Sequence, residues 1–199
     1  GAQISGFINT NMGEMEGNQI AGFANVTTAQ SKGLQVSGFI NVAQNLKGAQ
    51  LGFINIADTL DGIAVGFFSF ARNGYHQFEL SSDETFQTQL AFKTGSNLFY
   101  NVFSAGVHWD VDNPVWAVGY GIGTRKDFNH GMSFSADLSS FSVLPDDFEG
   151  NEWESLNKLK LSFGKSLGNY IEAFGGVSMN MWLSENDEPR HQYLKNLRS

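Results

Sequence analysis

The chain has 199 residues, a net charge of −8 and no cysteine. Its length suits a single domain, and the lack of cysteine excludes disulfide bonds and thiolate metal sites. The negative charge argues against nucleic acid as a partner, because phosphates would be repelled. Charged residues make up only 16% of the chain, below the share of about 25% that is usual in soluble domains. Together with 23 glycines and 18 phenylalanines, this composition favours strands with one apolar face.

One phrase recurs through the first third of the chain. It has a Gly-Phe core, with a glutamine before the core and an asparagine two residues after the phenylalanine. The copies are Gln3–Asn9, Gln19–Asn25, Gln35–Asn41 and Gln50–Asn55, followed by a decayed copy over Ile63–Phe70. Their core glycines are 16, 16, 14 and 14 residues apart. Repetition at such spacing indicates a copied structural unit, each copy of which needs its neighbours to bury its apolar side.

The pattern within each copy predicts a strand. In the third copy Leu34, Val36, Gly38, Ile40 and Val42 share one face, whereas Gln35, Ser37, Phe39, Asn41 and Ala43 share the other. A period of two is typical of a strand that separates two environments. A glycine in the middle of every copy does not suit a helix. Polar segments such as 43–48 and 57–62 are predicted to be turns.

Longer alternating runs follow from about residue 85. One extends over 132–139, a second over 158–163 and a third over 171–181. Alternation of apolar and polar residues over about 10 positions is typical of the strands of a membrane β-barrel. Trp109, Trp116 and Tyr170 lie near the ends of such runs, where interfacial aromatic residues are expected. No stretch approaches the ~20 apolar residues of a transmembrane helix.

Counting these runs predicts twelve strands. They cover residues 2–10, 18–27, 33–43, 48–57, 62–71, 75–80, 85–93, 97–109, 115–125, 130–142, 156–165 and 169–183. An even number allows a single bacterial chain to close into an antiparallel barrel. We therefore predict an all-β fold, an antiparallel transmembrane β-barrel of about 12 strands. It would form one domain over residues 1–183, with repeats in 1–75, longer aromatic-rich strands in 85–183 and a polar tail over 184–199.

A second architecture is compatible with the repeats. Residues 1–75 would then form a β-solenoid, followed by a β-sheet domain. Because identical residues recur at the same phase, a parallel stack would place Asn9, Asn25, Asn41 and Asn55 in a ladder. The sequence leaves this alternative open.

The repeated Gln-Ile-x-Gly-Phe-x-Asn-Val phrase resembles that of the "surface repeat" proteins of Bacteroidota and spirochaetes. The segments Phe99–Gly106 and Trp116–Thr124 are similar to the carboxyl-terminal half of those proteins, so the resemblance covers most of the chain. It implies a location in the outer membrane or at the cell surface, with outer-membrane lipid and other outer-membrane proteins as partners. It supplies no catalytic motif.

The polar faces of the predicted strands supply the candidate functional residues. In the repeats, the polar face that would line the barrel lumen comprises Gln19, Asn25, Gln35, Asn41, Gln50 and Asn55. In three later strands, a charge network in the lumen is predicted for Asp137, Lys158, Lys160 and Glu172. Opposite charges on neighbouring strands lie within ~5 Å and can pair. We favour an internal salt-bridge plug over a pore constriction, because unpaired buried charges are costly.

The remaining patterns point away from catalysis. Asp146, Asp147 and Glu149 form a possible cation site in a loop, although a solvated acidic loop is favoured. No nucleophile–base pair and no metal-ligand spacing is evident, so we expect no catalytic residue, metal or cofactor. We interpret the chain as a non-enzymatic bacterial outer-membrane β-barrel, either a structural surface component or a passive channel for small solutes. The alternative is a surface-exposed β-solenoid for binding or adhesion.

Overall fold

The computed structural model describes residues 1–109, 114–144 and 154–184. These residues form fourteen strands and one single-turn 3-10 helix, Asn129–Gly131, so the prediction of an all-β fold is confirmed. The strands are β1 Ala2–Ser5, β2 Ile8–Asn11, β3 Met15–Ala21, β4 Ala24–Ser37, β5 Ile40–Leu51, β6 Ile54–Val65, β7 Phe68–Ala71, β8 Tyr75–Ser81, β9 Thr88–Gly95, β10 Tyr100–His108, β11 Val115–Phe128, β12 Met132–Val143, β13 Glu154–Ser166 and β14 Glu172–Ser184. Among the described residues, no helix is long and apolar enough to cross a membrane.

The repeats form a parallel stack of coils. β1 pairs with β3. Both β2 and β3 pair with β4, at different parts of that strand. The pairing then continues in chain order from β4 through β5 and β6 to β7. The register places identical positions of the phrase side by side, with Gln19 opposite Gln35 and Asn25 opposite Asn41. This stacking is solenoid-like, as in the alternative architecture. The prediction that the repeats belong to an antiparallel barrel sheet is therefore wrong.

The Gly-Phe core is a bend between strands and not the middle of a strand. β3 ends at Ala21 and β4 begins at Ala24, and equivalent breaks follow at each later copy. The chain stays extended through the segments predicted as turns, where Gly48 and Gly62 have φ angles of 134° and 148°. Glycine adopts such angles at little cost. The predicted strand boundaries in the repeats are consequently displaced by about half a coil.

Close stacking of the coils explains the glycine in several copies of the phrase. A Cβ atom at Gly22 would lie 2.1 Å from the carbonyl oxygen of Gly6, and one at Gly38 would lie 2.3 Å from that of Gly22. No side chain fits at such distances without separating the coils. The corresponding position of the first coil differs, because a Cβ at Gly6 would meet nothing within 4 Å.

The second sheet contains β8 to β14 in chain order. It is a curled antiparallel sheet, with Lys160 of β13 opposite both Asp137 of β12 and Ser178 of β14. The seven runs predicted between residues 75 and 183 correspond to its seven strands within a few residues. A closed barrel of twelve strands is not seen in the part of the chain that the structure describes.

The chain divides into two compact units. One unit contains Gly1–Gln77, Lys93–Asn101 and Gly123–Lys126, which include all the coils. The other contains Phe78–Phe92, Val102–Ile122 and Asp127–Ser199, of which residues up to 184 are described with the gaps given above. Each unit has its own small apolar core, around Leu46 in the first and around Phe86 and Phe141 in the second.

We expect Gly38→Ala to lower the midpoint of thermal unfolding, because its Cβ would lie 2.3 Å from a backbone oxygen of the preceding coil. Overpacking of this kind typically costs about 1–3 kcal/mol. Gly6→Ala is the matched control and should leave the midpoint nearly unchanged, since its Cβ would meet nothing within 4 Å. Unfolding followed by circular dichroism compares the two, and equal destabilisation would contradict the stacking explanation.

Candidate functional site

The predicted polar face of the repeats lies inside the coils. The side chains of Gln19, Asn25, Gln35, Asn41 and Asn55 are fully buried, and Gln50 is nearly so. The prediction that these residues line the lumen of a barrel is therefore wrong. The error arose at the bend, because the alternation of inward and outward residues does not continue through Gly38 and Phe39.

The asparagines form a continuous ladder along the stack. Nδ2 of Asn9 donates to Oδ1 of Asn25 at 2.9 Å, Asn25 donates to Asn41 at 2.9 Å, and Asn41 donates to Asn55 at 3.0 Å. Each Nδ2 also donates to a backbone carbonyl of the next coil, as Asn25 does to Val36 at 2.8 Å. The buried amides are thus paired with each other and with the backbone beside the bend. This ladder, predicted for the solenoid alternative, is confirmed.

The glutamines form a second ladder, which runs in the opposite direction. Nε2 of Gln19 donates to Oε1 of Gln3 at 2.8 Å, Gln35 donates to Gln19 at 2.6 Å, and Gln50 donates to Gln35 at 2.8 Å. Glutamines therefore donate toward the first coil, whereas asparagines donate toward the last. Thr27 joins this ladder, because its hydroxyl donates to Gln19 at 2.9 Å and accepts from Gln35 at 3.1 Å.

Both ladders end where the repeat decays. Ala64 replaces the glutamine, which leaves Oε1 of Gln50 buried without a hydrogen-bond partner in the described residues. On the asparagine side, Asn101 of β10 caps the last coil: its Nδ2 donates to the Gly66 carbonyl at 2.7 Å, and its Oδ1 accepts from the Ser69 amide at 2.9 Å. The last coil is therefore closed by a residue from outside the repeats.

In the second unit, three of the four predicted network residues lie together. Asp137 is opposite Lys160 in the sheet, with 3.8 Å between Oδ2 and Nζ, and Lys160 also donates to Glu79. Lys158 is 2% exposed and its Nζ lies 2.5 Å from Oδ2 of Asp83. These pairs place opposite charges in contact on the inner face of the curled sheet.

The fourth predicted residue, Glu172, is the first residue of β14 and lies opposite Ser166. The residue of β14 opposite Lys160 is Ser178, six positions further along the strand. At ~3.3 Å per residue this separation is roughly 20 Å. Its Oε1 accepts a hydrogen bond from Ser133 at 3.2 Å.

Aromatic rings surround the Lys158 ammonium group. Nζ lies 5.0 Å from the ring centre of Phe86 and 5.7 Å from that of Phe141, and both rings are fully buried. A buried cation is tolerated when it has an anionic partner, and aromatic faces add further attraction. Around Lys158, buried side chains therefore fill the space at the inner face of the sheet.

An open cleft of about 720 Å³ lies next to the charged residues. Glu84 lines it and accepts hydrogen bonds from Ser178, at 2.6 Å, and from Asn180. Burial acts to raise the pKa of Glu84, but hydrogen bonds from Ser178, its own backbone and Asn180 outweigh burial and lower it. Glu84 therefore stays ionised at neutral pH and ties the loop after β8 to β14.

Sequence reasoning missed the acidic partners Glu79, Asp83 and Glu84. Charge balance in the sequence did not reveal them, because the predicted network already contained two lysines and two acidic residues, Asp137 and Glu172. Buried lysines need compensating anions, and the structure supplies them from β8 and the loop after it. No local pattern connects these residues, since Glu79 is 81 residues away from Lys160.

The remaining candidates concern metal binding. Asp146, Asp147 and Glu149 lie outside the described residues, as does the predicted polar tail beyond Ser184. Within the described ranges, no group of three or more His, Asp or Glu side chains is placed to hold a metal ion.

The outer face of the antiparallel sheet is apolar and exposed. In β14, Val177, Met179 and Met181 are 67%, 72% and 57% exposed, while the intervening Ser178 and Asn180 are half-buried. Five of the other six strands of this sheet, all except β10, also contribute exposed large apolar side chains in the same unit, for example Phe78, Leu90, Val118, Leu138, Leu159 and Phe163. An apolar face that extends over so many strands is unusual for a soluble monomer.

A comparison with protein-family models finds no match for this chain. Comparisons with curated proteins and with solved structures likewise find no match.

We expect Asn41→Asp to destabilise the coils strongly. The aspartate would lose the Nδ2 donor and place a buried charge next to Oδ1 of Asn55 and the carbonyl of Leu51, and an uncompensated buried charge costs about 3–5 kcal/mol. Asn45→Asp, at an exposed position of the same strand, is the control and should have little effect. Urea unfolding measures the stability of both variants, and a similar decrease in the free energy of unfolding would contradict a stabilising role of the ladder.

We expect Lys158→Met to destabilise the second unit, because Asp83 would lose its ion-pair partner while Phe86 and Phe141 would lose the cation between them. The expected cost is about 3–5 kcal/mol. Lys165→Met, on the same strand but exposed, serves as the control. Unchanged stability of Lys158→Met in denaturant unfolding would disprove a stabilising role for this pair.

Proposed function

We propose that this chain is a non-enzymatic bacterial outer-membrane protein, in which the antiparallel sheet contacts lipid and the β-solenoid is a structural or binding module at the cell surface. The observation that carries the proposal is the division of the sheet into an exposed apolar outer face and a charged, paired inner face. Strands of membrane β-barrels alternate in the same way, with apolar residues toward lipid and polar residues inward.

The energetics of the outer face favour lipid over water. The outward residues of β14, from Ala173 to Leu183, include no charged side chain. Leaving a large apolar side chain in water forfeits about 1.5–3 kcal/mol relative to burial, and residues such as Met179 are mostly exposed. A lipid environment would recover this energy. On β12 the outward series ends in Ser140 and Ser142, as expected where an apolar band gives way to polar surroundings.

The inner face supports a structural role more than a solute channel. Phe86 and Phe141 pack with rings 5.1 Å apart, and Lys158 lies between these rings and Asp83. Side chains that fill the interior and neutralise one another act as a plug, the arrangement favoured for the network from the sequence. The resemblance of the repeated phrase to that of bacterial surface repeat proteins supports the same location.

The solenoid has features of a binding module. Its bends carry a column of exposed, stacked phenylalanine rings with centroids 5.0–5.8 Å apart, formed by Phe7, Phe23, Phe39, Phe53 and Phe67. The charged residues of the coils lie away from the bends, as in the exposed pair of Glu16 and Lys32 at 2.7 Å. A regular apolar ridge on a rigid scaffold suits the recognition of an apolar or aromatic partner surface.

The lipid contact can be tested by flotation with phosphatidylcholine vesicles after detergent removal. We expect the wild-type chain to float with the vesicles and Val177→Arg to do so much less, because an arginine facing lipid at mid-depth costs about 2–4 kcal/mol. Ser140→Arg, at an exposed polar position on β12, should float like the wild type. A wild-type chain that stays soluble and monomeric without detergent, and does not float, would refute the proposal.

A further inference from the structure

The coils carry an apolar band on their outer surface, with the column of stacked phenylalanines at its centre. In the third copy of the phrase, Leu34 and Val36 face outward before the bend, and Ile40 and Val42 face outward after it. The residues that alternate with them on each strand are buried. Phe39 lies at the bend itself and is 40% exposed. Apolar side chains therefore extend over both flanks of the phenylalanine column.

The band is convex, because the bend turns around buried amide groups. Nδ2 of Asn41 donates at 2.9 Å to the carbonyl of Leu51, which precedes the bend of the next coil. This hydrogen bond crosses the inner side of the bend, so Phe39 is at the outer apex and the two flanks face away from each other. A protein partner needs a complementary shape and would have to enclose both flanks in one groove. Fluid hydrocarbon chains can cover a convex surface of any shape.

The outward columns differ from the inward columns in what stays constant from coil to coil. The register aligns Val36 with Ile20, Leu51 and Val65, aligns Ile40 with Ala24, Ile54 and Phe68, and aligns Val42 with Val26, Ile56 and Phe70. From the second coil onward these columns vary in size but stay apolar, whereas the inward asparagine is the same in four coils. Specific protein contacts depend on the size and shape of side chains, but contact with hydrocarbon depends on apolar area. The pattern therefore favours lipid as the occupant of the band.

Charged side chains begin only at the two borders of the band. Before the bend, Lys32, Lys47 and Asp61 align in one column. After the bend, Asp58 and Arg72 form an exposed ion pair at 2.5 Å. No charged residue lies between Lys32 and Lys47 or between Lys47 and Asp58 in the sequence. An apolar face with charged borders is typical of structures that insert one face into a membrane and keep the other in water.

We propose that the apolar band of the coils contacts membrane lipid, with the phenylalanine column and both of its flanks facing hydrocarbon chains and the charged columns in water. The contact rests on the proposed membrane location of the chain, and it specifies lipid as the partner of the phenylalanine column. Because each coil contributes the same kind of surface, the apolar area in contact with lipid grows with every coil. The coils then add to the lipid contact proposed for the antiparallel sheet.

Site-directed spin labelling tests this contact, since the chain has no cysteine and a single introduced cysteine takes the label. The full chain is reconstituted in phosphatidylcholine vesicles, and circular dichroism checks the fold of each labelled variant. Leu51→Cys and Ile56→Cys place labels on the two flanks of the band. Lys47→Cys is the matched control, because Lys47 is exposed on the same strand as Leu51 but lies in a charged column. Met179→Cys reports separately on the sheet.

Electron paramagnetic resonance measures how often each label collides with oxygen and with the polar chelate nickel ethylenediaminediacetate. We expect the ratio of oxygen to nickel collisions to be roughly tenfold higher at Leu51 and Ile56 than at Lys47, because hydrocarbon excludes polar solutes. Nickel access at either flank equal to that at Lys47 would overturn the proposal. Exclusion of both reagents would also overturn it, because protein would then cover the band, and dipolar broadening between labels would identify that protein as a second copy.

The sheet label separates this contact from the proposed function. A label at Met179 that is accessible to oxygen but not to nickel, together with nickel access at Leu51 and Ile56, would overturn the lipid contact of the coils alone. Nickel access at Met179 would instead refute the contact of the sheet with lipid, whatever the coil labels show.

Discussion

The distance between successive coils is the constraint on which the repeat half depends. Backbone hydrogen bonds hold neighbouring strands about 4.7–4.9 Å apart, and every other feature of the stack is fitted to that spacing. Amide side chains of identical length meet at hydrogen-bonding distance, as Asn25 and Asn41 do at 2.9 Å. Phenylalanine rings at the same phase stack at 5.0–5.8 Å. At Gly22, Gly38 and Gly66 the bend admits only glycine, because the carbonyl oxygen of the preceding coil takes the place of a Cβ.

The antiparallel sheet compensates its buried polar groups in a different way. It has no repeated residue that can bond to its own copy, so its inner face uses opposite charges instead of ladders. Lys158 and Lys160 of β13 are neutralised by Asp83 and Glu79 from the beginning of the sheet. These ion pairs link the sheet's first strand and the adjoining loop to β13, although β8 and β14 are not paired through their backbones. Charge pairing between side chains thus contributes to holding the sheet in its curled form.

Local periodicity was sufficient to predict the strands of the antiparallel sheet. Alternation in 132–139 or 171–181 follows a regular strand, so β12 and β14 begin and end within a few residues of the predicted limits. In the repeats the same method failed, because a period of two cannot distinguish a straight strand from two short strands joined at a bend. Phe39 was assigned to the face of Gln35 and Asn41, yet it is exposed while they are buried. Pairing direction is likewise invisible to periodicity, and only the constant phase of the asparagines indicated a parallel stack.

The candidate site was predictable only where its partners lie on adjacent strands. The pairing of Asp137 with Lys160 follows from neighbouring alternating runs. The contacts of Lys158 with Asp83 and of Asn101 with Ser69 join residues 75 and 32 positions apart, and no local pattern connects them. Such contacts depend on how the sheet curls and on where the coils end, which are properties of the whole chain.

The opposed directions of the two amide ladders affect how long a stack of this kind can become. Aligned side-chain amides add their dipoles, and one ladder alone would build up partial charge at its two ends with every coil, as peptide dipoles do in a helix. The glutamine and asparagine ladders point in opposite directions along the stack, so their dipoles largely cancel. Adding or removing a coil then changes the electrostatic field of the solenoid very little. A stack of this kind can therefore contain more or fewer coils without an accumulating electrostatic cost.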